Sequence, residues 1–371
     1  MFSSPPFVPG LALAERLYME AVRPLMGRFA PDLPYAAGLI GSGSDVLGLD
    51  TERSMDHDWG PRLTIFLADD HLSSWRERLD GVLRKYLPPS VAGFPTGFRE
   101  FADDQGTWHM DDAATSGPIE HRVAITSVSA FLRHRLGVAN SERLDAAAWI
   151  TMPEHHLLEV TAGRIFHDGC GEITRVRKDL AWYPDAIWRY RMAAGWMRIG
   201  QLEPFIGRCG EVGDDLGSQI VATALARDVI RLAFLLERRY APYAKWLGTV
   251  FATLPIASAL APHLDAARYA GAWPEREAGI VSTVRVLAER HNALGLTEVL
   301  DPAPRPFWSR PFQVMNAERF SQALLASITD PAVLALPRNL GGVDQFMDST
   351  DALESGDLHL ALRRWIGGGA S

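Results

Sequence analysis

Apolar positions recur every three to four residues through Leu11, Leu13, Leu17, Ala21 and Leu25, which predicts a helix over residues 11–29. The period then shortens. "AAGLI" and "LTIFLA" read as buried strands, and "GFREFADD" and "HRVAITSV" have strand character. Between them "SSWRERLDGVLRKYL" is an amphipathic helix that must stop before Pro88 and Pro89, and "SAFLRHRLG" is a helix closed by Gly137. "PEHHLLEVTAGRIFHDGCGEIT" reads as a short helix, a strand around Arg164 to His167, and a turn. Strand and helix signals thus alternate up to about residue 182, the pattern of an α/β layer.

Beyond that point the chain reads as helices. "PDAIWRYRMAAGWMRIGQLEPFIGR", "DDLGSQIVATALARDVIRLAFLLERRY", "WPEREAGIVSTVRVLAERHNALG" and "MNAERFSQALLASI" are long helical segments separated by Gly and Pro. The expected fold class is therefore α+β. A mixed sheet with helices occupies residues 1–182, and an all-helical bundle follows over 183–371.

Composition narrows the partners. At 371 residues the chain suggests two domains, and 47% hydrophobic against 22% charged residues is a globular balance. A formal charge of −8 argues against a surface that tracks nucleic acid through its phosphates. Cys170 and Cys209 are the only cysteines, so no disulfide framework is expected and a reducing cytoplasm fits. The N-terminus lacks a basic n-region and is not read as a signal peptide, and no apolar run approaches the ~18 residues a membrane span needs.

One stretch carries candidate chemistry, "GLIGSGSDVLGLDTERSMDHDWGPRLTIFL". A glycine-serine turn leaves backbone N–H groups open to anionic oxygens. Asp56 and Asp58 follow, two residues apart; on a strand they would project from one face. Two carboxylates that close repel unless a cation lies between them, and Mg²⁺ shares its oxygen shell readily with phosphates. Order and spacing together predict a Mg²⁺- or Mn²⁺-triphosphate site.

The same residues resemble the nucleotidyltransferase superfamily that includes DNA polymerase beta and kanamycin nucleotidyltransferase, in which an apolar strand, Gly-Ser and about ten residues precede Asp-x-Asp. Gly43-Ser44 fits with a gap of eleven residues; Gly41-Ser42 fits with thirteen. Gly43-Ser44 is preferred because Gly48 stands four residues after the serine. A second resemblance, through "SMDHDWGPRL", "LAWYPDAIWRY", "RRYAPYAKW", "RPFQV" and "GGVDQFMDSTD", is to a bacterial family of nucleotidyltransferase-like proteins called domain of unknown function 4037.

The superfamily resemblance implies transfer of a nucleoside monophosphate from an NTP, ATP favoured, to a hydroxyl of a small molecule. Asp56 and Asp58 would hold the metal, with Gly43 and Ser44 on the nucleotide. It also implies a third carboxylate on a later strand. Alternation along "GPIEHRVAITSV" puts Glu120, Arg122 and Ala124 on one face, so Glu120 is the only candidate. Arg62 follows a Trp59-Gly60-Pro61 interruption and is a candidate phosphate ligand, with a salt bridge as the competing role. In the helical half, Arg231 lies one turn from Arg227, and Lys245 sits between Tyr243 and Trp246; both are nucleotide-binding candidates, against a plain packing role. Asp214 or Asp215 reads as an N-cap. The competing classes are a non-catalytic nucleotide- or ligand-binding homologue and a protein-modifying or antitoxin-like nucleotidyltransferase.

Overall fold

A computed structural model describes residues 5–100, 106–111, 118–142 and 144–368. The chain divides into two compact units, Met1–Glu142 with His156–Ala181, and Arg143–His155 with Trp182–Ser371. The fold is mixed α+β, with a mixed sheet in the N-terminal half and helices after it. No described helix is long and apolar enough to cross a membrane.

In the first unit α1 (Gly10–Leu17) runs through a π-helical turn at Tyr18–Val22 into α2 (Arg23–Phe29). Pro24 explains the interruption. It has no N–H for the carbonyl four residues back, and its ring would clash there in a regular helix. The strand β1 (Tyr35–Leu39) follows, then a 3-10 turn (Glu52–Asp56) and β2 (Arg62–Leu67). Next, α3 (Asp69–Tyr86) carries two acids in its first turn and Arg84 and Lys85 in its last, a sign order that suits the helix dipole. Two small hairpins, β3 (Ser90–Val91) with β4 (Phe94–Pro95) and β5 (Phe98–Glu100) with β6 (Trp108–Met110), lead to β7 (Arg122–Ser127) and α4 (Val128–Leu136). Gly137 closes α4 in the left-handed conformation at φ 66°. Further along come α5 (Ala146–Thr151), which belongs to the second unit, α6 (Glu154–Thr161), which enters the first unit at His156, and then β8 (Arg164–Asp168) and α7 (Glu172–Asp179).

Sheet order is β7-β2-β1-β8, with β1 antiparallel to both neighbours and β2 parallel to β7. A parallel pair needs a long crossover, and α3 with the hairpins supplies it. Along β7, Val123 and Ile125 are buried while Arg122 is half-buried and Ala124 exposed. One face therefore packs with Leu13, Leu17, Ile65, Leu79 and Leu83 in the core. The other stays open at the starts of β2 and β7.

The second unit is built on α8 (Asp185–Leu202), followed by α9 (Phe205–Glu211), α10 (Asp215–Leu236), α11 (Ala244–Phe251), α12 (Ala257–Arg268) and α13 (Trp273–Ala293). A short hairpin, β9 (Arg305–Pro306) with β10 (Gln313–Val314), precedes α14 (Glu318–Ala326). Asp214 caps α10, its carboxylate accepting from Gly217 N at 2.8 Å. Helix α8 buries side chains on every side, so it is a core helix. Its tryptophans are packing residues: Trp188 Nε1 donates to the Leu235 carbonyl, and Trp196 stacks on Phe320 at 4.5 Å.

Candidate functional site

The glycine-serine turn leaves β1 at Leu39 and is anchored from several directions. Gly41 N donates to the Glu159 carbonyl at 2.7 Å, and Arg135 reaches Ser42 Oγ at 3.3 Å while pairing with Glu159. Arg62 donates to the Ser42 carbonyl at 2.8 Å and clamps Asp45 with two nitrogens. Gly43, at φ +129°, is required: a Cβ there would lie 2.2 Å from Asp45 Oδ1 and 2.3 Å from Arg62 Nη2. The N–H groups of Ser42, Gly43 and Ser44 donate to no protein acceptor among the described residues. They remain available to an anion.

Asp56 and Asp58 are not on a strand. The expectation of two carboxylates projecting from one strand face fails, because β2 begins only at Arg62. Asp56 instead ends the 3-10 turn that Thr51 and Ser54 cap, is exposed, and lies 3.0 Å from His57 Nδ1. Asp58 takes the left-handed conformation at φ 50°. Its N–H donates to the Trp108 carbonyl at 2.8 Å, and its carboxylate meets Trp108 N and Arg122 Nη2, both at 3.4 Å. The cause lies in the next three residues. Trp59 is buried, held by Asp50 through Nε1 at 2.9 Å and packed on Phe7 and Phe94. Gly60 then turns at φ +143° and Pro61 has no ladder donor, so pairing cannot start earlier.

Glu120, expected as the third carboxylate, is engaged by an arginine of α3. It precedes β7, and both its oxygens pair with Arg84 of α3, which also binds Asp80. The mid-strand position is Ala124, in register with Thr64 of β2, and Arg122 is in register with Arg62. The open face therefore presents two adjacent arginines. Arg62 is neutralised by Asp45. Burial pushes the Arg122 guanidinium down from its usual pKa, with Asp58 opposing that shift and Arg62 adding to it. Arg122 also stacks over the Trp108 ring at 5.0 Å. A cavity of about 300 Å³ lies here, lined by Leu39, Arg62, Thr64, Arg122 and Ala124 among others.

The second-unit candidates keep structural partners. Arg231 stands on α10 one turn from Arg227, which pairs with Asp348; Arg231 adds to the positive field that lowers the Asp348 carboxyl behind the Arg227 hydrogen bond. Lys245 is exposed in the first turn of α11, its ammonium 5.0 Å from the Trp246 ring centre. A cation there opposes the helix dipole, a placement that an anionic ligand would relieve.

Sequence reasoning missed Asp45, Arg122 and Arg135. A signal existed for Asp45, since an acid directly after Gly-Ser-Gly-Ser is positioned to brace the turn; Arg122 emerges only from the β2–β7 register. It also missed a buried triad in the second unit. Arg191, fully buried, contacts Glu154 at 2.6 Å and Asp344 at 3.5 Å and donates to the Tyr183 hydroxyl. Burial raises the Glu154 carboxyl, against Arg191, which lowers it.

For a divalent metal, the candidate donors are two carboxylates from one loop, the exposed Asp56 and the half-buried Asp58. Carboxylates are the donor type Mg²⁺ takes, and it would complete its shell with water and phosphate oxygens. No third carboxylate on the open face joins them among the described residues.

Residues 149–247 match the family model described as Domain of unknown function (DUF4037), a stretch that includes Glu154 and Arg191 but not the glycine-serine turn. No curated protein matches the chain. Among solved structures, a nucleotidyltransferase-like protein from Exiguobacterium sibiricum 255-15 is similar at 11% identity and a TM-score of 0.33, over 83% of this chain and 88% of that one.

Proposed function

We propose that the first unit binds a magnesium–nucleoside triphosphate, ATP in the leading case, on the open face of its sheet. The chain then transfers the nucleoside monophosphate to a hydroxyl of a small molecule. One observation carries this reading: Arg62 donates to the Ser42 carbonyl of the turn, Arg122 donates to the Asp58 carboxylate, and the two arginines are neighbours in the β2–β7 register. Phosphate oxygens would take the N–H groups of Ser42, Gly43 and Ser44, with Arg122 adding positive charge beside them. Asp56 and Asp58 would hold the metal, which supplies charge neutralisation at the phosphates. In the transfer the acceptor oxygen forms a bond to the α-phosphorus, the α–β bridging bond breaks, pyrophosphate leaves, and the hydroxyl proton passes to solvent.

A second reading, nucleotide binding without transfer, is favoured by Ala124 and by the engagement of Glu120 with Arg84. Incubation with each α-³²P-labelled NTP, Mg²⁺ and a panel of hydroxyl metabolites separates the two. Label appearing in an acceptor supports transfer. Saturable Mg²⁺-dependent retention without a labelled product supports binding alone, and neither result with any NTP overturns both.

A further inference from the structure

The first unit holds another cavity, of about 530 Å³, at the opposite end of β1 from the glycine-serine turn. That volume lies in the range of small-molecule sites. Its walls include Tyr18, Arg23, Met26, Tyr35, Phe166 and His167. Tyr18 belongs to the π-helical turn that Pro24 imposes, and such turns recur at functional sites. The aromatic groups form a connected platform: Tyr18 stacks on Phe166 at 5.9 Å, and Tyr35 lies 4.4 Å from the His167 ring.

The polar groups converge on the same space. The Tyr18 and Tyr35 hydroxyls are 3.0 Å apart, so one donates to the other and the second proton is left to point elsewhere. Burial raises the Tyr35 phenol above its usual range, the Tyr18 hydrogen bond adding to it, which keeps it a neutral donor. Arg23 is exposed and pairs with no carboxylate among the described residues; its hydrogen-bond partner there is Met19 Sδ at 3.8 Å. Among the described residues no acidic side chain lines the cavity.

We propose that this cavity binds a small monocarboxylate with an aromatic or apolar body, held by Arg23 and a tyrosine hydroxyl, with its body against Phe166, Met26 and His167. One guanidinium with a planar fork matches one carboxylate. Among the described lining residues Arg23 is the one Arg or Lys side chain, which disfavours a phosphate, and its positive charge repels an ammonium. The site is independent of the nucleotide reading.

The test is a ¹⁹F NMR titration of the full chain with 4-fluorophenylacetate, with 4-fluorophenethylamine and inorganic phosphate as controls. Saturable binding of the carboxylate is expected, weakened about tenfold or more by Arg23→Gln and less by Tyr35→Phe. Arg23 is exposed, so its variant keeps the fold, which the protein's own NMR spectrum checks. Asp58→Asn leaves this binding unchanged, whatever it does to nucleotide. Absence of saturable carboxylate binding, equal binding by Arg23→Gln, or equal affinity for the amine or phosphate overturns the proposal.

Discussion

Arg62 grips Asp45 with both ends of its guanidinium, Nε to Oδ2 at 3.1 Å and Nη2 to Oδ1 at 2.6 Å, across a separation of seventeen residues. The carboxylate is buried, at 3% side-chain exposure. The pair locks the start of β2 to the turn that leaves β1, so the residue considered as a phosphate ligand first holds the loop in shape.

Removing Arg62 strands that carboxylate. Arg62→Ala is expected to cost about 3–5 kcal/mol, the range for breaking a buried pair. Replacing both partners by apolar residues should cost less than Arg62→Ala alone. Urea denaturation of the two variants checks the order.

Gly43 and Gly48 separate space from conformation. Both have positive φ, but a Cβ at Gly48 meets nothing within 4 Å while one at Gly43 collides with the Asp45–Arg62 pair. Gly48→Ala should lose about 1–2 kcal/mol from backbone strain alone. Gly43→Ala should lose more, with a greater fall in Tm and weaker nucleotide binding.

Mg-NTP at a hundredfold excess over Kd should stabilise the protein by about 2.7 kcal/mol, read as a rise in Tm. Asp58→Asn should shrink that rise, because it removes one of the two charges proposed to hold the metal. Glu120→Gln should leave it intact and change stability little, as expected of a surface pair with Arg84. A full Mg²⁺-dependent rise in Asp58→Asn would remove that residue from the site.

Two buried groups in the second unit oppose each other in pH. Burial pushes Glu203 from 4.5 to about 7 although Met315 N and Ala317 N donate to it, and burial pushes His291 from 6.5 down to about 4. The folded state keeps a proton on Glu203 that the unfolded chain has lost, so that contribution is present below pH 4.5 and disappears as pH rises through about 7. His291 stays neutral where the unfolded chain is protonated, so its contribution is present above pH 6.5 and disappears as pH falls through about 4. Between pH 4.5 and 6.5 the two slopes cancel. Glu203→Gln should expose the histidine term as stability that rises with pH over that window relative to wild type, by about 1.4 kcal/mol per pH unit at most. Denaturant midpoints across the range measure it; parallel profiles for the two proteins would refute it.

Much of the architecture was legible in the chain itself. The apolar run "LTIFLA" and the strand character of "HRVAITSV" became β2 and β7, Pro88 ended α3, Gly137 closed α4, and Asp214 capped α10. Each of these depends on neighbours within about one helical turn, so spacing and residue type suffice. Tertiary structure decided the rest. Pinning of Trp59 by Asp50 and the Gly60–Pro61 break moved the start of β2 past both aspartates. Arg84, thirty-six residues from Glu120, took the expected third carboxylate; parallel register set Arg122 beside Arg62; and Asp344 joined Glu154 and Arg191 from far along the chain. A charged side chain is satisfied by whatever opposite charge the fold brings within a few ångströms, and separation along the chain carries no record of that distance.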